Sequence, residues 1–338
     1  MTPPTPRLRT SFAHIPAFGL SASVELIKRA EAWGIDGAWV PDQTFYLDPY
    51  PVLTAAALAT HTITLGVGVT NAAARHPLLT ARLAATVAEV APRRMRLGLG
   101  TGNRREYLHP LGYSGERGAE RCREAVRLIR SLLAGERVDY QSDLFTASGV
   151  RLAMGPAPMP LYVAGIAPKI LHVAGEVADG AIVGYASEAG LAAAVRQLSA
   201  GRVDGELAAP APVVAWNIAI VTDDPGPEYD RIRPFIAHKI APASRATLLS
   251  IGFDADAVDR IRDDYWAHGP ERAAAHVTDE MVGVWSWIGT PDQIAGRIRL
   301  LGPLGVTEVC VLSIDRDLDR ITRNLKSFAT HVAPLLGP

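Results

Sequence analysis

Four apolar runs near the start of the chain break into residues able to do chemistry. His14 ends SFAH, Asp42 and Gln43 end WVPDQ, Gly68, Val69, Thr70 and Asn71 fall within LGVGVTNAAARHP, and Gly100, Thr101, Gly102 and Asn103 end RLGLGTGN. Gly165 and Ile166 follow a fifth run, PLYVA, and Val183 and Gly184 end a sixth, ADGAIVG. Among these side chains only His14 has an ordinary titration range near neutral pH, which makes it the candidate proton donor or acceptor. A strand-end histidine hydrogen-bonded to backbone is the competing reading. Asp42 suits either a ligand contact or a turn or helix-cap carboxylate. The glycines and small polar residues leave backbone amides bare, as a flat ligand lying against the chain requires.

Other motifs point to less chemistry. LGLGTGN lacks the G-x-G-x-x-G spacing and the later acid of a dinucleotide fingerprint. Arg75 and His76 precede Pro77, where they pair with the first turn of a helix or face solvent. In AGIAPKILHVAGEVA a strand ends at Gly165 and Pro168 opens a helix, whose free amides favour a phosphate, with Lys169 adding charge. Taken alone this is an ordinary strand-to-helix turn, and the neighbouring glycines move the phosphate reading ahead. Arg104, Tyr107 and His109 are candidates to line a pocket or guide an anionic tail, and Tyr113 and Trp216 suit a core. Cys122 and Cys310 lie in a helix-like and a strand-like run without metal-ligand spacing, so the sequence predicts two buried free thiols and no metal.

The elements that position these residues alternate. Eight β-rich runs, LRTSFAHI, DGAWV, TITLGVGV, RMRLGLG, PLYVAG, GAIVG, VVAWNIAIV and VTEVCVLS, are separated by helical patterns such as SVELIKRAEAWG and LLTARLAATVAEVA. Eight such units close a parallel sheet into a (β/α)8 TIM barrel, with an open doubly wound sheet as the alternative. The whole chain, residues 1–338, reads as one barrel domain with insertions near 135–158 and 241–289 that suit a lid or a substrate pocket. Thr290, Pro291 and Gln293 mark a helix start by their capping-box spacing. Hydrophobic residues make up 48% and charged residues 20%, as in a packed globular protein. The net charge of −1 offers no basic field for nucleic acid or an anionic membrane. The first residues show neither a signal peptide nor a membrane span, so the expected location is cytoplasmic.

Taken together, WVPDQ, LGVGVTNAAARHP, RLGLGTGN, PLYVAGIAPK, ADGAIVG and GTPDQIAGRI resemble the bacterial luciferase-like superfamily, in order from about residue 8 to about residue 330. The resemblance is to its deazaflavin-dependent branch, which includes methylenetetrahydromethanopterin reductase. It implies a barrel that binds coenzyme F420, with FMN as the alternative, and hydride transfer to or from a small-molecule substrate. An FMN-dependent monooxygenase and a non-catalytic flavin-binding barrel are the rival implications. In the family the third strand ends in a bulge with a non-prolyl cis peptide behind the tricyclic ring, and the matching bond is Gly68–Val69. The same matching puts Asp42, Gln43, Thr70 and Asn71 at the ring. Two residues depart from the pattern. Gln43 stands where deazaflavin members usually have histidine, and it cannot shuttle a proton. Ala13, beside His14, stands at the place of the reductase's glutamate, so a pterin substrate is not implied. Family members commonly dimerise through the side carrying the alanine-rich helices PVLTAAALAT and LLTARLAATVAEVA, which implies a homodimer or higher homo-oligomer here.

Overall fold

The eight runs all become strands of one closed sheet in the computed structural model, which describes residues 7–43, 45–103, 107–205, 207, 210–250 and 252–337. The strands are β1 (Arg9–Ala13), β2 (Gly37–Val40), β3 (Thr64–Asn71) and β4 (Met95–Gly100), a hairpin of β5 (Val138–Gln141) and β6 (Thr146–Val150), then β7 (Leu161–Ala164), β8 (Gly180–Gly184), β9 (Val213–Val221), β10 (Ser286–Gly289) and β11 (Val306–Leu312). Neighbours run β1-β2-β3-β4-β7-β8-β9-β11 and return to β1, all parallel, which closes an eight-stranded barrel rather than an open sheet. Helices α1 (Leu20–Ala32), α2 (Pro49–Ala59), α3 (Pro77–Val90), α4 (Gly118–Leu133), α5 (Pro168–Val177) and α6 (Glu188–Asp204) fill the first crossovers. After β9 come α7 (Gly226–Ile240), α8 (Arg245–Ser250), α9 (Ala255–His268), α10 (Pro270–Ala273) and α11 (Asp279–Trp285), with α12 (Pro291–Arg299) and α13 (Leu318–Ser327) flanking β11.

Local chemistry sets the helix starts. Asp48 caps α2 by accepting from the Tyr50 amide, and Thr290 and Gln293 form the expected capping box on α12. Proline at the opening position of α2, α3, α5 and α12 supplies a preset φ where no amide partner is lost.

Alternation along the strands divides the core in two. Phe12, Ala38, Leu65, Val67, Leu97 and Leu99 face the helices and form an outer cluster. Their neighbours Ala13, Trp39, Tyr162, Ile182, Val214 and Cys310 form an inner cluster. Cys122 and Cys310 are both buried and free, as the sequence predicts. The two expected insertions differ in their attachment. The β5–β6 hairpin joins the outer cluster through Val138, Phe145 and Ala147. Segment 241–289 instead folds into α8–α11 and β10, and its Leu248, Phe253, Val258, Met281 and Trp285 continue the inner cluster. Strand β9 makes this possible: Val213–Ile218 pair with β11, while Ile218–Val221 carry β10. No helix among the described residues is long and apolar enough to cross a membrane.

Candidate active site at the rim of the barrel

The floor of the barrel is filled by large side chains, and the mouth on β3, β4, β7 and β8 is lined by small ones. Arg96 and Glu308 meet in the interior at 2.6 Å, with 5% and 4% of their side chains exposed. Burial works against the charge on Glu308, but Arg96 beside it outweighs that cost and holds the carboxyl below its usual range. The Trp39 indole N–H donates to Glu308 Oε1 at 3.0 Å, the Arg96 guanidinium lies 4.3 Å from the Trp39 ring, and Tyr162 meets that ring edge-on at 5.4 Å. Above this layer the inward positions shrink to Ala13, Gly68, Gly98, Gly100, Ala164 and Gly184. A methyl on Gly98 would meet the Val67 carbonyl at 2.7 Å, and one on Gly100 would meet Val69 Cγ2 at 2.6 Å. At Gly184 a methyl would make only an ordinary contact, with the Trp216 carbonyl at 3.8 Å.

The end of β3 breaks the ladder to β4. Val67 pairs with Leu97 but Thr70 pairs with Leu99, so one extra residue bulges within the segment Gly68–Val69, and that bond is cis as expected. Beyond the bulge three strand ends are tied together. Thr70 Oγ1 donates to Asp42 Oδ2 at 2.7 Å, Arg75 reaches the same oxygen at 3.3 Å, and the Tyr107 hydroxyl lies 3.4 Å from Oδ1. Burial, and then the negative charge of Asp42, push the Tyr107 hydroxyl up to about 12, so it stays protonated and keeps donating. Arg75 also binds Asp48 at 2.8 Å, linking this hub to the cap of α2. Asp42 is therefore a hub, and the helix-cap role expected as its alternative falls to Asp48. Asn71 shapes the next turn: its Oδ1 accepts from the Ala73 and Ala74 amides, and its Nδ2 faces the Gly100 carbonyl at 3.4 Å.

His14 follows β1 with its amide donating to the Trp39 carbonyl. Its Nε2 lies 2.8 Å from Ser23 Oγ, and Ser23 gives its own proton to the Gly19 carbonyl. Ser23 can then only accept, which puts the imidazole proton on Nε2. Burial lowers the His14 pKa to about 4, so the ring is neutral at physiological pH.

The remaining expected positions spread around the same rim. Gln43 accepts from the Tyr46 amide through its carbonyl. Thr101, Gly102 and Asn103 are exposed after β4, and the Asn103 carbonyl receives the Tyr107 and Leu108 amides. Gly165 is half-buried and Ile166 is 44% exposed at the start of α5. Gly184 is half-buried at the inward side of β8, whereas the Val183 side chain is buried in the outer cluster. Lys169 is bonded to Glu120 at 3.2 Å instead of standing over the α5 amides. His76 caps α3 through Nδ1, which is the helix-start role expected of it, while Arg75 turns to the acids. His109 is exposed, and Tyr113, expected in a core, is 43% exposed in the loop before α4. Trp216 does pack on the inner cluster. Arg104 lies outside the described residues.

Several features escaped the sequence reading. Arg96 and Glu308 were signalled: each is a charge at an inward position of an otherwise apolar strand run. Tyr185, placed on the rim by its position after the sixth run, is held at φ 52° beyond Gly184, and its packing near Phe235 and Trp285 had no signal.

Comparison with known proteins agrees with this arrangement. The family model for luciferase-like monooxygenases matches residues 5–308. A 5,10-methylenetetrahydromethanopterin reductase from Archaeoglobus fulgidus is 33% identical over 288 residues, covering 84% of this chain and 86% of that one. An F420-dependent glucose-6-phosphate dehydrogenase from Beutenbergia cavernae is 37% identical over 169 residues, 45% of this chain and 49% of that one. Among solved structures, the coenzyme F420 dependent tetrahydromethanopterin reductase from Methanopyrus kandleri superposes with a TM-score of 0.87 at 24% identity, covering 98% of this chain and all of that one (100%).

Proposed function

This chain belongs to the luciferase-like monooxygenase family, and from that premise we propose that it is a coenzyme F420-dependent oxidoreductase acting on a small organic molecule. The relatives named for F420 support the cofactor, and the rim of glycines and small residues on β3, β4, β7 and β8 carries the reading. On β3, β4, β7 and β8 the inward positions above Trp39 are Gly68, Gly98, Gly100, Ala164 and Gly184, and a Cβ at Gly184 would make only an ordinary contact with the Trp216 carbonyl at 3.8 Å. We place a planar ring over this small-residue rim. It would lie against Gly68–Asn71, Gly100–Asn103, Gly165–Ile166 and Val183–Gly184, with Asp42 and Gln43 beside it. The Thr70 hydroxyl and the Asn71 amide are engaged with Asp42 and the 71–74 turn, so their backbone is what this segment offers.

A bound deazaflavin supplies two-electron hydride chemistry without activating oxygen. The chain's own part is to orient and to exclude water. The Asp42 hub locks the ends of β2 and β3 to the loop at Tyr107, which fixes the rim before any ligand arrives. The filled floor keeps water from entering behind the ring. His14, neutral and with its Nε2 proton committed to Ser23, accepts a proton at Nδ1 and is not a proton source at neutral pH.

Self-association belongs to the same proposal. Between α2 and α3 lies an apolar groove of about 390 Å³ bordered by Tyr50, Leu58, Leu83 and Val87, with Leu58 70% exposed. A second copy covering it would remove that surface from water.

Titrating the purified chain separately with F420 and FMN tests the cofactor. Saturable quenching of F420 fluorescence, with no retention of FMN, is the expected result. Tight FMN binding without F420 binding overturns the assignment.

A further inference from the structure

The ion pair in the barrel floor touches no ligand in the proposal above, yet it lies directly beneath the end of β3. Trp39, wholly buried, is held on three sides: by Glu308 at its N–H, by Arg96 on its face and by Tyr162 at its edge. Strand β3 rests on the remaining surface of that ring. A methyl at Gly66 would overlap the Trp39 six-membered ring, and one at Gly68 would sit 3.1 Å from Trp39 Cβ and Cε3 and 3.0 Å from Trp216 Cζ3. Contacts this close leave β3 no other height while the indole stays where it is.

A buried ion pair adds little net stability over apolar side chains of the same volume, so stability alone does not account for it. Its distinctive contribution is direction. A hydrogen bond to the indole N–H fixes the rotation of the ring, where apolar contacts would let it slide.

We infer that Glu308 is a positioning residue for the cofactor: by fixing Trp39 it sets the height at which Gly66–Asn71 meet the ring. This rests on the reading that the segment carries F420. The chain of action is Glu308 to Trp39 to Gly66, and each link can be altered separately. Glu308→Gln weakens the grip on the indole, Gly66→Ala pushes the strand off it, and Trp39→Phe removes the N–H while keeping an aromatic ring.

The test is the F420 dissociation constant of these variants and of the Glu308→Gln/Gly66→Ala double variant, with thermal unfolding measured in parallel. Each single change is expected to weaken F420 binding by roughly ten-fold. The double variant should lose clearly less than the product of the two, because both act through one ring. The fluorescence quenching of bound F420 should change as well, a signature that lost stability alone does not produce. Unchanged affinity and quenching beside a lowered unfolding temperature, or strictly multiplicative losses, overturn the inference. Should Glu308→Gln fail to fold, Trp39→Phe is read by the same criteria. A wild-type chain that does not bind F420 overturns the functional proposal and this inference together, whereas wild-type binding with unaffected variants overturns this inference alone.

Discussion

His14 shows how burial decides what one side chain can do. Its folded pKa of about 4 lies below the ordinary 6.5, so the unfolded chain takes up the proton more readily. The stabilisation from keeping the ring neutral is therefore complete above about pH 6.5 and is lost as the pH falls towards 4. Its full extent is about 3 kcal/mol. Urea unfolding of wild type and His14→Gln across this range should show a shallower pH dependence in the variant. The same substitution should lower kcat by about 10²-fold with F420 affinity retained, the loss typical of a missing general base. Asp42 carries the opposite lesson about legibility. The WVPDQ motif made the residue visible, but its partners Thr70, Arg75 and Tyr107 lie 28 to 65 positions away, and local pattern carries no record of such distances.

Elements were legible in proportion to their burial. The eight barrel strands carry β-branched and apolar runs because both of their faces are covered, which is why all eight were visible. The hairpin strands VDYQ and TASGV are short, polar and partly exposed, and SWIG is four residues long directly after a helix, so none of them carries a clear period. At the turn after β4, backbone geometry governs. Gly102 has φ 81°, and a methyl there would overlap the Asn71 amide. Gly102→Ala should cost about 1–2 kcal/mol in denaturant unfolding from the left-handed conformation alone. It should also loosen F420, because Asn71 must release the 71–74 turn to make room.

For the whole molecule, the exposed groove between α2 and α3 is where assembly is read. Leu58→Asp places a charge in the middle of that face, and light scattering should then give the mass of one chain where the proposed pair would give two. Wild type scattering as a single chain at micromolar concentration sinks the pairing. The barrel itself is not symmetric about its axis. Strand β9 runs on by Ala219, Ile220 and Val221 past its pairing with β11, about 10 Å at the usual rise per residue. On that parapet stand β10 and the helices of residues 226–285, while across the barrel only the turn 72–76 separates β3 from α3. A reactant reaching this mouth would meet the tall side as a backstop, where Tyr185, Phe235 and Trp285 stand together and limit how far it can go in that direction.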